Sequence, residues 1–159
     1  ILHALSENGY NDVAYTLLLQ EKMPSWLYSV KHGATTMWER WNCINEDGSF
    51  SNVSMTSFNH YAYGAVADWL YGNAAGIKIL PDGAGYSHIS IAPIPSEKLG
   101  FVNCKVDTVK GAVISNWYYK KDHIHYEITV PNGTVAELSL PDGVKKTLHS
   151  GSYLFTTKI

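Results

Sequence analysis

Two short blocks of this sequence gather side chains that could do chemistry. The first is Trp38-Glu39-Arg40-Trp41, a carboxylate set between two indoles with a guanidinium beside it. Indole walls keep water away and favour the protonated carboxyl, while an adjacent cation favours the charged form. A carboxylate balanced between those pulls suits proton transfer near neutral pH, so Glu39 is the first candidate for a general base. The same residues also read as a Glu-Arg pair on a loop, with the tryptophans buried in a core. The second block is Asn59-His60-Tyr61. An imidazole near a helix N-terminus is favoured in its neutral form and can donate to a hydroxyl. It reads equally as a histidine that only satisfies the start of a helix. Together, Trp38, Trp41, Asn59 and His60 offer ring faces and planar hydrogen-bonding groups, which suit a polyhydroxylated ligand such as a sugar.

Other chemistries find less support. His3, His32 and His88 are scattered, and His123 and His125, two apart in an expected strand, have no evident third partner, so no metal site is expected. Cys43 and Cys104 match no metal spacing and are expected to be free thiols. Glycine-rich phosphate cradles and nucleophile-elbow sequences are absent, and no cofactor is expected.

The elements that must position these blocks change character near residue 75. Asn8 or Asn11 can cap a first helix bearing Val13, Ala14, Leu17 and Leu18, with Tyr15 and Leu19 widening its apolar arc. That breadth predicts a helix buried on more than one side, ended by Met23-Pro24. Ser25 caps a short helix through Trp26, Leu27 and Val30, closed by Gly33. Residues 34 to 54 form a long aperiodic stretch, and loops of that length are usually functional. Thr56 or Ser57 can cap a further helix whose apolar face runs from Phe58 and Tyr61 to Trp69 and Leu70.

From Gly76 onwards, short alternating runs are separated by turn sequences such as Pro81-Asp82-Gly83, Pro131-Asn132-Gly133 and Pro141-Asp142-Gly143. Six or seven strands at this spacing predict an antiparallel β-sandwich. The expected division is a helical portion over residues 1–74 and a β-domain over residues 75–159.

Composition bounds the rest. The chain has 159 residues, a net charge of −2 and 16% charged residues, with five Trp, eleven Tyr and four Phe. That balance argues against nucleic-acid binding through a basic surface, and no segment approaches the length of an apolar membrane span. So many aromatics with so few charges suggest helical surface that something else should cover. The apolar opening Ile1-Leu2-His3-Ala4-Leu5 reads as though cut from something longer.

A resemblance gathers these observations. Pro24-Ser25-Trp26, the run from Gly33 to Trp41, and Ser57-Phe58-Asn59-His60-Tyr61-Ala62-Tyr63-Gly64 resemble the C-terminal part of bacterial α-L-rhamnosidases of the (α/α)6-barrel kind. Leu5 to Tyr10, Ala75-Gly76-Ile77, Ser115-Asn116-Trp117 and Pro131-Asn132-Gly133-Thr134 fit the same pattern, so the likeness covers essentially the whole chain. It implies the last helices of an (α/α)6 barrel followed by an antiparallel β-sandwich. It further implies an inverting glycoside hydrolase that removes terminal α-L-rhamnose from glycosides or polysaccharides. Inversion needs two carboxyl groups roughly 6.5–9.5 Å apart, one protonating the leaving oxygen and one activating water. The resemblance places the general base on Glu39 and a sugar-contacting histidine on His60. The family's general acid lies upstream of this region, and no stretch here matches it. A fragment that is inactive in isolation is therefore expected, lacking the earlier part of its barrel and open to self-association through uncovered helices. The alternative is a non-catalytic carbohydrate-binding or structural accessory module.

Overall fold

The computed structural model describes residues 1–52, 54 and 56–159. The chain divides into two compact units, Ile1–Ala67 and Asp68–Ile159. Helices come first and two β-sheets follow, the architecture expected of a barrel end joined to a β-sandwich. Among the described residues, no helix is long and apolar enough to cross a membrane.

The first unit holds α1 (Leu2–Glu7), α2 (Asn11–Leu18) and α3 (Trp26–Lys31), and a 3-10 turn follows at Ala62–Ala65. Helix α3 forms as its sequence requires. The Ser25 hydroxyl accepts the Tyr28 N–H at 3.0 Å, and Gly33, at φ +80°, takes the left-handed conformation that ends the segment. The first helical region differs from expectation. It is two helices, neither with a side-chain cap, and Asn11 is the first residue of α2 rather than its cap. Helix α2 stops at Leu18, well short of Pro24, and the Gln20 amide donates to the carbonyls of Lys22 and Pro24, both at 3.0 Å. A polar side chain thus organises the turn that proline alone was expected to make. Ala14, Tyr15 and Leu18 are buried but Val13 is exposed, so the broad apolar arc of α2 is covered on one side only.

The helix expected from Thr56 or Ser57 does not begin there. Both backbone polar groups of Ser57 are engaged with Glu39, so they cannot start a helix. Helical geometry begins at Ala62, continues as α4 (Val66–Trp69) and closes in a wide π-type turn, Leu70–Ala74. Phe58 and Tyr61 therefore precede the helix, and Tyr61 is 88% exposed rather than part of a buried face.

The second unit carries β1 (Ile77–Ile79), β2 (His88–Ile91), β3 (Phe101–Thr108), β4 (Gly111–Lys120), β5 (His123–Val130), β6 (Val135–Ser139), β7 (Lys145–Leu148) and β8 (Gly151–Lys158). They form two four-stranded sheets, ordered β1-β2-β6-β7 and β3-β4-β5-β8. All neighbours are antiparallel except β2 and β6, which the excursion through β3, β4 and β5 brings side by side in parallel. Strand β7 was not foreseen, because Lys145-Lys146-Thr147-Leu148 buries only its last residue and lies at a sheet edge. The inward alternation of the other strands builds one core from Ile89, Ile91, Val113, Trp117, Tyr126, Ile128 and Leu138. Gly76, at φ +79°, is required where the chain enters β1, since a Cβ there would lie 2.2 Å from the Ala92 carbonyl carbon.

One polar cluster ties a turn to the parallel pair. The Nδ1 of His88 lies 2.9 and 3.0 Å from the two Asp82 carboxylate oxygens, and its Nε2 lies 3.5 Å from Glu137. The bond to Asp82, reinforced by Glu137, raises the pKa of His88, and the bond to His88 lowers that of Asp82. The stability contributed by His88 is full below about pH 6.5 and is lost as pH rises through its raised value. The share from Asp82 is present above about pH 3.8 and fades as pH falls through its lowered value. Thermal unfolding of the second unit is therefore expected to peak between about pH 4 and 6.5, with a small decline towards alkaline pH because the groups are exposed. His88→Gln should flatten that alkaline decline, and an unchanged profile would show that the cluster does not contribute.

Candidate functional site

The two chemical blocks meet in the irregular chain between α3 and Ala62. The Glu39 N–H donates to the Ser57 carbonyl at 2.9 Å, and the Ser57 N–H donates to Glu39 Oε2 at 2.9 Å. The His60 N–H donates to the Met37 carbonyl at 2.8 Å, and the Thr36 hydroxyl donates to the Phe58 carbonyl. The segments 36–39 and 57–60 thus run beside one another as an irregular ribbon, with Glu39 on one side and Asn59-His60 on the other. Ribbon pairing holds the His60 backbone, and its Nδ1 accepts the N–H of Ala62, the first residue of the 3-10 turn, at 3.3 Å, so the ring also satisfies the start of that turn. Asn59 is exposed, and its N–H donates to the Ser57 hydroxyl at 3.2 Å.

Aromatic packing fixes the ribbon. Trp38 is buried, its ring edge-on to Phe58 at 5.4 Å. Trp41 stacks on Tyr63 at 3.8 Å and meets Trp26 edge-on at 5.1 Å, while the Trp26 N–H donates to the Tyr63 carbonyl at 2.9 Å. A cavity of about 300 Å³ opens here, lined by Trp26, Met37, Trp38, Trp41 and Tyr63 with Thr35 and Thr36. The structure therefore brings Trp38 and Trp41 to one cavity, whereas Glu39, Asn59 and His60 are not among its lining residues. Glu39 is half-buried.

Residues that sequence reasoning missed complete the arrangement. The Tyr28 hydroxyl donates to the Ile44 carbonyl at 3.0 Å, and burial, helped by Glu46 and Asp47, pushes its pKa up, so it stays a donor. Tyr63 covers one face of Trp41, a role that its spacing from Tyr61 does not signal. Ser57 has the residue type of a cap, yet its backbone is what holds Glu39. Among the described residues, no group of three or more His, Cys, Asp or Glu side chains is placed to hold a metal ion.

Residues 1–74 match the bacterial alpha-L-rhamnosidase 6 hairpin glycosidase domain, and residues 76–155 match the bacterial alpha-L-rhamnosidase C-terminal domain. An alpha-L-rhamnosidase of Formosa agariphila is 42% identical over 152 residues, covering 96% of this chain and 16% of that protein. The alpha-L-rhamnosidase of Streptomyces avermitilis is 41% identical over 141 residues, covering 89% of this chain and 14% of that protein. A crystal structure of a Streptomyces avermitilis alpha-L-rhamnosidase complexed with L-rhamnose superposes with a TM-score of 0.89 over 99% of this chain and 17% of that one, at 38% identity. The native enzyme of Aspergillus terreus superposes with a TM-score of 0.90 at 36% identity, covering 97% of this chain and 18% of that one. The chain thus spans about a sixth of the length of its curated relatives. Matched over both its helical and its β regions, the chain belongs to the bacterial α-L-rhamnosidase family.

Proposed function

We propose that this chain supplies the general base of an inverting α-L-rhamnosidase whose general acid lies in sequence outside these residues. The observation that carries the reading is the half-buried Glu39 carboxylate, held through Oε2 by the Ser57 N–H. In the reaction, Glu39 takes a proton from water as the water oxygen bonds to the anomeric carbon. The bond to the leaving oxygen breaks on the opposite face, and the upstream acid protonates that oxygen. His60 and Asn59 hydrogen-bond sugar hydroxyls, Trp41 offers a ring face, and the buried Trp38 lines the same cavity as Trp41. The substrate is a rhamnose-containing glycoside or polysaccharide, in keeping with the rhamnose complex of the Streptomyces relative.

The domain boundary is placed after residue 74, leaving residues 75–159 as an accessory β-domain. Trp117, the one tryptophan beyond residue 74, is fully buried and offers no exposed ring face to a sugar. The exposed Val13, Val30 and Tyr61 would drive self-association when the first unit stands alone.

Half of an acid–base pair does not complete the cycle. The isolated chain is therefore expected to show no turnover of an aryl α-L-rhamnoside, whereas the full-length gene product releases β-L-rhamnose first, as seen by proton NMR. Turnover by the isolated chain that Glu39→Gln abolishes would overturn the missing-acid reading. First release of the α-anomer by the full-length protein would overturn inversion.

A further inference from the structure

We infer that Cys43 is the positioning residue for Glu39, acting through Ser57. The inference rests on the reading of Glu39 as the base and adds a role for a side chain that takes no part in the chemistry. Among the described residues, the stretch that carries Glu39 and His60 has little regular structure of its own beyond a bridge between Ile44 and Phe50, so something else must fix it. Cys43 is at its centre. The backbone N–H of Cys43 donates to the Arg40 carbonyl at 3.4 Å, its carbonyl accepts the Ser51 N–H at 3.1 Å, and its thiol donates to the Ser57 carbonyl at 3.6 Å. One residue thereby ties three separate points of the loop together.

The Ser57 carbonyl is the decisive partner. It accepts both the Cys43 thiol and the Glu39 N–H, while the N–H of the same residue holds the Glu39 carboxylate. A shift of Ser57 would move the main chain and the carboxylate of Glu39 together. Cys43 is fully buried, so water cannot replace its thiol as a donor. A thiol is a weak donor, but it has the length and softness to reach a carbonyl across a tight contact. Misplacing a catalytic group by a fraction of an ångström lowers kcat without loosening substrate binding.

The test separates a donor from a filler. A packing role alone makes Cys43→Ala milder than Cys43→Ser, because serine buries an extra polar group. A positioning role reverses that order, because serine keeps a donor and alanine does not. In the full-length gene product, Cys43→Ala should lower kcat on an aryl α-L-rhamnoside by roughly tenfold with KM unchanged, and Cys43→Ser should retain most of the wild-type kcat. Thermal unfolding of the same variants should also rank serine above alanine. Alanine above serine in both measurements would overturn the inference. Glu39→Gln serves as the control. If Glu39→Gln loses activity while Cys43→Ala matches wild type, the positioning role fails alone. If Glu39→Gln keeps full activity, the base assignment fails, and the unfolding order still decides whether the thiol holds Ser57.

Discussion

Glu39→Gln in the full-length protein is expected to lower kcat on an aryl α-L-rhamnoside by about a thousandfold, within the range for removing a general base. The amide keeps the shape of the side chain and can still accept the Ser57 N–H through its oxygen, so the ribbon should stay intact. What it loses is the capacity to take a proton from water as the oxygen attacks. KM should change little, because the interaction removed is made in the transition state rather than with bound sugar. Azide offers a sharper readout. It attacks without a proton to lose, so it should restore turnover in Glu39→Gln and yield the β-glycosyl azide, with no rate gain in wild type. A thousandfold loss with azide rescue identifies a base. An equal loss without rescue points to a positioning or binding role for Glu39, and retained activity removes it from the site.

The separate chemical blocks were legible because each is local: a carboxylate among indoles, and a histidine beside an amide. Their meeting was not, because it depends on pairing between segments about twenty residues apart that obey neither helical nor strand periodicity. Thr56 and Ser57 illustrate the failure. A hydroxyl residue before an apolar run has the pattern of an N-cap, and local propensity alone selects that reading. In the structure the Ser57 N–H goes to a side chain eighteen residues earlier in sequence, and the helix starts at Ala62 instead. Sandwich strands with clean alternation, such as His123–Val130 with its buried Ile124, Tyr126, Ile128 and Val130, announced themselves. Strand β7 did not, since a polar edge strand shares its composition with a loop. The parallel neighbours β2 and β6 were also beyond a local reading, because register between distant strands is set by the shared core.

Trp117→Ala is expected to cost the second unit about 3–5 kcal/mol, the usual range for emptying a large aromatic site in a core. Trp117 lies on the inner face of β4, opposite Val102 of β3 and Tyr126 of β5, with no exposed surface. Its indole N–H donates to the Ala74 carbonyl at 2.7 Å, and the Ser115 hydroxyl donates to the next carbonyl, Ala75, at 2.6 Å. The π-type turn that ends at Ala74 leaves carbonyls without helical partners, and these two side chains supply them. Trp117→Phe keeps most of the ring volume but orphans the Ala74 carbonyl, so it should cost about 1–3 kcal/mol. For a unit of this size each kcal/mol is worth about 4–8 °C, which puts the alanine variant at least about 12 °C below wild type. Urea unfolding followed by far-ultraviolet circular dichroism would give both values. Equal losses for alanine and phenylalanine would assign the effect to the hydrogen bond, whereas a neutral phenylalanine would assign it to packing alone. If the β-domain is an accessory to the barrel, the same alanine substitution in the full-length protein should reduce the yield of soluble enzyme several-fold while leaving kcat per folded molecule unchanged. A fall in kcat at full yield would instead give the β-domain a part in the chemistry.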